Sequence, residues 1–138
     1  MAKIFSYKTK IYYEDTDAGG IVYHSKYLNF AERGRTEFLK RINLTNNDVW
    51  KNYKVKFIVK TITTNFLGYA KLEDLISVKT KLIQISKAKL TFNQEIFNNK
   101  NYKITDLLVL VCCINSKGKV ARLPNDIYYK FISKGKIL

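Results

Sequence analysis

The chain of 138 residues contains one proline, six glycines, two cysteines and one histidine. Because so few residues could form a flexible linker, we expect one domain over residues 1–138. Two cysteines and one histidine do not complete a tetrahedral zinc site, so no metal or other cofactor is expected. The longest apolar run, Leu107–Ile114, is far shorter than the ~20 residues of a membrane-spanning helix, so no integral membrane segment is predicted.

The two cysteines, Cys112 and Cys113, are adjacent and lie inside that apolar run. Neighbours in a strand point to opposite faces, so these two are poorly placed to form a disulfide with each other. Residues 1–8 show no apolar core of a secretory signal. Both observations predict a cytoplasmic protein, in a reducing compartment, with the cysteines acting as small buried hydrophobic residues.

Acidic residues are also scarce, with 11 Asp and Glu against 25 Lys and Arg and a net charge of +14. Such a charge suits an anionic partner, which could be nucleic acid, a membrane surface or a phosphate-bearing small molecule. However, the excess consists of 21 lysines against 4 arginines, scattered along the chain. Nucleic-acid surfaces are usually richer in arginine and more patterned, so no nucleic-acid partner is expected. Peripheral association with a membrane stays open.

The hydrophobic pattern predicts one strand, two helices and then several long strands. A first strand is expected at residues 3–13, a turn at 14–25, and a helix capped near Ser25 that ends at about Arg41. Thr45 should cap a short helix that ends near residue 53 and is anchored by Trp50. This order predicts an α+β fold in which an antiparallel sheet wraps around one long central helix. The later strands are predicted at 55–66, 76–85, 90–97 and 102–115, and a terminal helix at 126–132.

The run Leu107–Ile114 is apolar at every position, unlike the alternating strands before it. A strand that is apolar on both faces is normally covered on both. We therefore expect a second layer of protein against the outer face of the sheet, supplied by further copies of the chain.

Residues 12–24 combine two aspartates, Asp15 and Asp17, with a pair of glycines and the only histidine, His24. They lie between the first strand and the long helix. Carboxylates crowded into such a turn need hydrogen-bonding partners or a chemical role. From the residues alone, Asp15 is expected to cap the turn, whereas Asp17 could either cap the turn or carry chemistry.

The segment Tyr12–His24, followed by Lys26-Tyr27-Leu28 and by residues 32–37, resembles the hotdog-fold acyl-CoA thioesterases. Within the 4-hydroxybenzoyl-CoA thioesterase family it is similar to the Tol-Pal-associated group. The resemblance extends over about residues 10–130, including Arg122-Leu123-Pro124. It implies a hotdog fold and hydrolysis of an acyl-CoA thioester whose acyl group is short-chain or aromatic. The acyl group could also be carried by acyl carrier protein instead of coenzyme A.

The same resemblance implies roles for individual residues. Asp17 corresponds to the family's nucleophile or general base, and Tyr13 and His24 are further site residues. Backbone amides at the start of the helix would polarise the thioester oxygen, and lysines at a strand connection would bind the coenzyme A phosphates. The implied amides are those of Tyr23, His24 and Ser25, and the implied lysines are Lys87 and Lys89.

Family members pair two subunits edge to edge, with the active site at the boundary, so the resemblance implies a homodimer. The apolar strand described above extends this expectation to a homotetramer. Charged residues of the long helix, including Glu32 and Arg35, are expected to form a solvated face or subunit contacts. Two alternatives to the thioesterase stay open: a hotdog hydratase or dehydratase, and a basic module without enzymatic activity that binds nucleic acid or an anionic membrane.

Overall fold

A computed structural model describes residues 3–135, so the first two and last three residues of the predicted domain lie outside the described residues. It contains five strands, and its longest helix lies against the sheet, which confirms the predicted α+β class. The strands are β1 (Phe5–Lys10), β2 (Val55–Phe66), β3 (Leu75–Ile85), β4 (Lys89–Phe97) and β5 (Lys103–Asn115). The helices are α1 (Lys26–Arg41), α2 (Asn46–Tyr53) and α3 (Asn125–Lys130).

The five strands form one sheet in the order β1-β3-β4-β5-β2, and all neighbouring pairs are antiparallel. The strand β2 therefore lies at one edge of the sheet. Within residues 3–135, no further strand pairs with its outer side. A bare edge of 12 residues exposes a row of backbone donors and acceptors, which proteins normally cover or pair.

Helix α1 lies against the inner face of the sheet and buries an apolar stripe that includes Tyr27, Phe30 and Phe38. Gly34 lies where the helix approaches the sheet most tightly. A Cβ atom built there would lie 2.8 Å from Val78 Cγ1 and 3.0 Å from Thr80 Oγ1. The long helix packed against a five-stranded antiparallel sheet agrees with the predicted hotdog arrangement.

The first strand is shorter than predicted, because β1 ends at Lys10 and Tyr13–Asp15 forms a 3-10 turn. A carboxylate oxygen of Asp15 accepts the Tyr12 amide at 2.9 Å, which stabilises the turn in place of further strand. Ser25 precedes α1 as predicted, but its side chain makes no capping hydrogen bond. Its helical backbone conformation makes it an extension of the helix rather than a side-chain cap.

Helix α2 begins as predicted, since Thr45 Oγ1 accepts the Asp48 amide at 3.0 Å. The predicted anchor, however, is wrong. Val49 is the buried residue of this helix at 1% exposure, whereas Trp50 is only half-buried. The indole of Trp50 instead lies beneath the Lys56 ammonium, which is 4.5 Å from the ring centroid.

The apolar run of β5 is buried along its inner face and only partly covered on its outer face. Leu107, Val109 and Val111 are buried against the core, but Leu108 on the opposite face is 44% exposed. Cys112, on the same outer face, is nevertheless buried. The expected second layer of protein, supplied by further copies of the chain, stays a prediction. This face remains open to another copy.

Both cysteines are free and buried, as predicted. Burial raises the pKa of the Cys113 thiol to about 11, and the neighbouring Cys112 contributes a smaller effect in the same direction. A raised thiol pKa keeps the sulfur protonated near neutral pH, so it is not an activated nucleophile.

Substitution Gly34→Ala should lower the free energy of unfolding by roughly 1–3 kcal/mol, because the added methyl group overpacks the contact between helix and sheet. Urea denaturation measures this change. The matched control is Lys40→Ala, at an exposed position of the same helix, which should stay within about 0.5 kcal/mol of the parent. A stabilised Gly34→Ala variant, as helix propensity alone predicts, would contradict the tight packing.

In the folded protein at pH 8, only about one Cys113 thiol in a thousand should be ionised, given its raised pKa. A disulfide reagent that reacts with thiolates should therefore label it slowly, and Cys112 is shielded by burial. Both thiols should react quickly once urea unfolds the chain. If the folded protein rapidly released one equivalent of the reagent's leaving thiol, the burial of these cysteines would be contradicted.

Candidate active site

The turn that follows the 3-10 segment is built around Asp17. Its backbone amide donates to the Ile21 carbonyl at 2.9 Å, and its carbonyl accepts the Gly20 amide at 3.0 Å. Gly20 has a positive φ of 79°, which glycine adopts without strain. The Asp17 oxygen Oδ1 also accepts the Gly19 amide at 2.8 Å. The carboxylate is thus oriented by the turn that it caps.

Asp17 and Asp15 have different environments. Asp15 is buried, and its carboxylate holds the Tyr12 amide, so it has the capping role that was predicted. Asp17 is exposed in the single chain. Among the described residues, its oxygen Oδ2 has no hydrogen-bonding partner. One oxygen therefore fixes the turn while the other is available to a substrate or a water molecule.

Main-chain and side-chain hydrogen bonds hold this turn beside the start of α1. The Val22 amide donates to the Ala70 carbonyl at 2.9 Å. The Ala70 amide in turn donates to the Tyr27 hydroxyl oxygen at 3.0 Å. Tyr27 is buried, and burial raises the pKa of its hydroxyl. The chain entering the helix is thereby tied to the loop between β2 and β3.

Three backbone amides were predicted to polarise a thioester oxygen, but they are not equivalent. The Tyr23 amide already donates to the Asp15 carbonyl at 2.9 Å, so it is not free for that purpose. The amides of His24 and Ser25 have no acceptor within residues 3–135. They lie just before the first turn of α1, where the helix dipole favours negative charge.

Aromatic rings surround the histidine at this end of the helix. The His24 ring lies 4.6 Å from the Tyr23 ring and 6.1 Å from the Phe66 ring, measured between centroids. The Tyr13 side chain, by contrast, is 81% exposed. A single chain therefore carries Asp17, His24 and the free amides on one continuous segment, and leaves Tyr13 projecting into solvent.

The two predicted coenzyme-binding lysines lie far from this turn. Lys87 and Lys89 are exposed beside the end of β5, where the Cys113 amide donates to the carbonyl of the residue between them at 3.0 Å. The loop that holds the Asp17 turn bonds instead to Ile104, at the beginning of β5. Nine residues of extended strand separate these points, which corresponds to about 30 Å.

A groove of about 210 Å³ beside Lys87 contains further candidates that the sequence did not single out. Arg122 contributes a second cation to it, and Tyr128 and Tyr129 contribute aromatic faces. Two cations next to aromatic rings suit a phosphorylated nucleotide. The only hint in the sequence was the Arg122-Leu123-Pro124 segment, whose arginine has no distinguishing local pattern.

Within residues 3–135, no group of three or more His, Cys, Asp and Glu side chains has the geometry to hold a metal ion. None of the helices in that range combines the length and the apolar character needed to cross a membrane.

Comparison with known proteins gives a consistent picture. The family model described as the thioesterase-like superfamily matches residues 12–131. The acyl-CoA thioesterase YbgC of Haemophilus influenzae is 37% identical over 128 residues, which cover 92% of this chain and 93% of the relative. The acyl-CoA thioester hydrolase YbgC of Escherichia coli O157:H7 is 35% identical over 129 residues, covering 93% and 96%.

Solved structures agree with the fold. The crystal structure of a probable thioesterase from Bartonella henselae superposes with a TM-score of 0.84 at 30% identity, covering 88% of this chain and all of that one. A DHNA-CoA thioesterase from Staphylococcus aureus superposes with a TM-score of 0.88 at 22% identity, covering 93% and 88%. Because its sequence identity is only 22%, the second structure supports the fold assignment alone.

Proposed function

The chain belongs to the thioesterase-like superfamily, and we propose that it hydrolyses the thioester of an acyl-coenzyme A to a carboxylic acid and free coenzyme A. The observation that carries this proposal is that Asp17, with one free carboxylate oxygen, lies in the turn that leads directly to the unpaired amides of His24 and Ser25. The names of the YbgC relatives support the same reaction class.

In the proposed reaction, the thioester oxygen accepts hydrogen bonds from the His24 and Ser25 amides, which stabilise the negative charge that develops on it. Asp17 acts by one of two routes. As a general base, it takes a proton from a water that attacks the carbonyl carbon; as a nucleophile, it forms an anhydride that water then hydrolyses. In both routes the carbon–sulfur bond breaks and coenzyme A leaves as its thiol. His24 orients the substrate beside the aromatic rings.

In the proposed site, binding of the coenzyme A phosphates requires residues from a second copy of the chain. Asp17 and Lys87 lie at opposite ends of one sheet, but an antiparallel pairing of two β2 edges about a twofold axis reverses the ends. Lys87 and Lys89 of the second copy then lie on the same side as Asp17 of the first. Arg122 joins them as a third cation for the phosphates. Each proposed site thus takes its reacting groups from one copy and its coenzyme-binding groups from the other.

Two such dimers pack through the outer face of β5 to give the proposed tetramer. Leu108 is exposed on that face, and Leu110 and Ile114 are only partly buried. Ile58 of β2, which pairs with Cys112, extends the apolar surface to the dimer edge. Burial of this continuous strip is the driving force for the second interface.

The acyl group, the choice between coenzyme A and acyl carrier protein, the cytoplasmic location and the Tol-Pal association stay predictions. A panel of acyl-CoA substrates of increasing chain length, together with an aromatic one, would establish the preferred acyl group when assayed by thiol release. The same panel includes crotonyl-CoA, whose absorbance would reveal a hydratase.

Substitution Asp17→Asn should lower kcat at least ~100-fold, which corresponds to about 2.7 kcal/mol of activation free energy. The amide can still accept the Gly19 hydrogen bond, but it can neither take a proton nor attack. A thiol-release assay measures the rate. Asp48→Asn, at an exposed residue of α2, is the control and should keep the parent rate. Near-parental turnover by Asp17→Asn would refute the assignment.

Light scattering at micromolar concentration should give a mass of two or four times the 16.1 kDa of the chain. A monomer leaves the backbone donors and acceptors of the β2 edge unpaired, whereas pairing of two β2 edges satisfies them, so the dimer should be favoured. A monomeric mass under these conditions would rule out a site shared between copies.

A further inference from the structure

A groove of about 300 Å³ lies where helix α2 meets the beginning of β2. The proposed reaction uses none of its side chains. We call it the tryptophan groove, and it is lined by Asn46, Asn47, Val49, Trp50, Lys56 and Phe57.

Two ammonium groups lie close to the indole ring of Trp50. Lys56 Nζ is 4.5 Å from the ring centroid, and Lys54 Nζ is 5.4 Å from it. These cation–π contacts favour positions of the two exposed lysine side chains near the ring. The ion pairs found within residues 3–135 are formed by Lys103, so neither ammonium has an acidic partner there. The groove therefore combines an aromatic surface with positive charge that suits an anionic ligand.

The tryptophan groove and the start of α1 lie at opposite ends of β2. Lys56 and Phe57, which line the groove, are among the first residues of this strand. Phe66 is its last residue, and its ring centroid is 6.1 Å from that of His24 and 5.9 Å from that of Tyr27. Both contacts are made by residues at the beginning of the long helix.

The proposed pairing of two β2 edges brings the two ends together. When two such strands pair antiparallel over their whole length about a twofold axis, the first residue of one strand lies opposite the last residue of the other. Val55 of one copy is then opposite Phe66 of the second copy. The tryptophan groove of each copy therefore faces the helix start, with its free amides, of the other copy.

The groove also lies on the way to the predicted coenzyme-binding cations. Within one copy, β2 pairs with β5, and β5 pairs with β4, whose first residue is Lys89. Two strand spacings, or about 10 Å, separate β2 from β4. A substrate that extends from the helix start of one copy to Lys87 and Lys89 of the other must therefore pass the tryptophan groove of that second copy.

We propose that Trp50 and Lys56 of one copy bind the coenzyme A of a substrate whose thioester lies at the Asp17 turn of the other copy. The indole packs against the pantetheine arm, and the Lys56 ammonium pairs with the pyrophosphate at the end of that arm. The ribose phosphate and the adenine extend further, to the groove that contains Lys87 and Arg122. The proposal rests on the proposed thioesterase function and on the proposed pairing of two chains.

The first test measures the binding of free coenzyme A by calorimetry. Lys56→Gln should raise the dissociation constant about 10-fold, because one charge-assisted contact with a phosphate is lost. The same increase is expected with 3′-dephospho-coenzyme A, which keeps the pyrophosphate. The control is Lys8→Gln, an equal change of charge at an exposed position of β1, on the opposite edge of the sheet. It should bind both ligands as the parent does.

Parental affinity of Lys56→Gln for coenzyme A would overturn the proposal. An effect that disappears with 3′-dephospho-coenzyme A would also overturn it, because the contact would then be with the ribose phosphate. Trp50 is the only tryptophan of the chain, so its fluorescence reports on the groove. Saturating coenzyme A should change this emission in the parent, and an unchanged emission would exclude contact with the indole.

The second test asks whether Trp50 acts on the site of the other copy. Trp50→Ala should raise KM about 10-fold with kcat nearly unchanged, because the lost contact is with a part of the substrate that does not react. Circular dichroism checks that the variant is folded. Trp50→Ala and Asp17→Asn chains are then unfolded in urea and refolded together in equal amounts. In each mixed dimer, one site has Asp17 from one copy and Trp50 from the other.

If the site is shared as proposed, about a quarter of all sites in this mixture are intact, and the rate at low substrate concentration should approach a quarter of the parental rate. If Trp50 acts only within its own copy, no intact site is regained. The mixture would then reach half the rate of Trp50→Ala alone, and the proposal would be refuted.

Failure of this proposal is distinguishable from failure of the proposed function, because coenzyme binding is measured without hydrolysis. A protein that binds coenzyme A through Lys56 but releases no thiol from any acyl-CoA would refute the thioesterase proposal and leave the coenzyme site intact. An active thioesterase whose Lys56→Gln variant binds coenzyme A as the parent does would refute the coenzyme site alone.

Discussion

The candidate site depends on the hydrogen bonds that tie the start of α1 to the loop between β2 and β3. Ala70 takes part in two of them, through its carbonyl to Val22 and through its amide to the buried Tyr27 hydroxyl. A buried amide left without its acceptor costs roughly 1–3 kcal/mol. These bonds hold the segment between Asp17 and the start of α1, which includes the free amides of His24 and Ser25, against that loop.

The second constraint is the bare edge of β2. A long strand with unpaired backbone groups on one side is a template for another strand. The proposed pairing there would bring the candidate reacting groups and the predicted coenzyme-binding cations, which are about 30 Å apart along one β5 strand, to a single substrate.

Much of the fold could be predicted because hydrophobic periodicity reports burial directly. The four later strands and the long helix appear close to their predicted bounds, and Thr45 caps α2 as its side-chain chemistry suggests. The errors occurred where local patterns compete. The residues up to Tyr13 are typical of a strand, but Tyr13–Asp15 forms a 3-10 turn that the Asp15 carboxylate stabilises. The size of Trp50 predicts an anchor for α2, but the smaller Val49 is the residue that faces the core.

The sequence by itself determined the fold class, the family resemblance and the identity of Asp17 as the residue to consider first, because these depend on patterns contiguous in the chain. Tertiary structure alone decided which of the helix-start amides are free, since the acceptor of the Tyr23 amide is eight residues away at Asp15. It also decided that Arg122 joins Lys87 in one groove. Such neighbours come from distant segments, and nothing in a linear pattern records the distance between them.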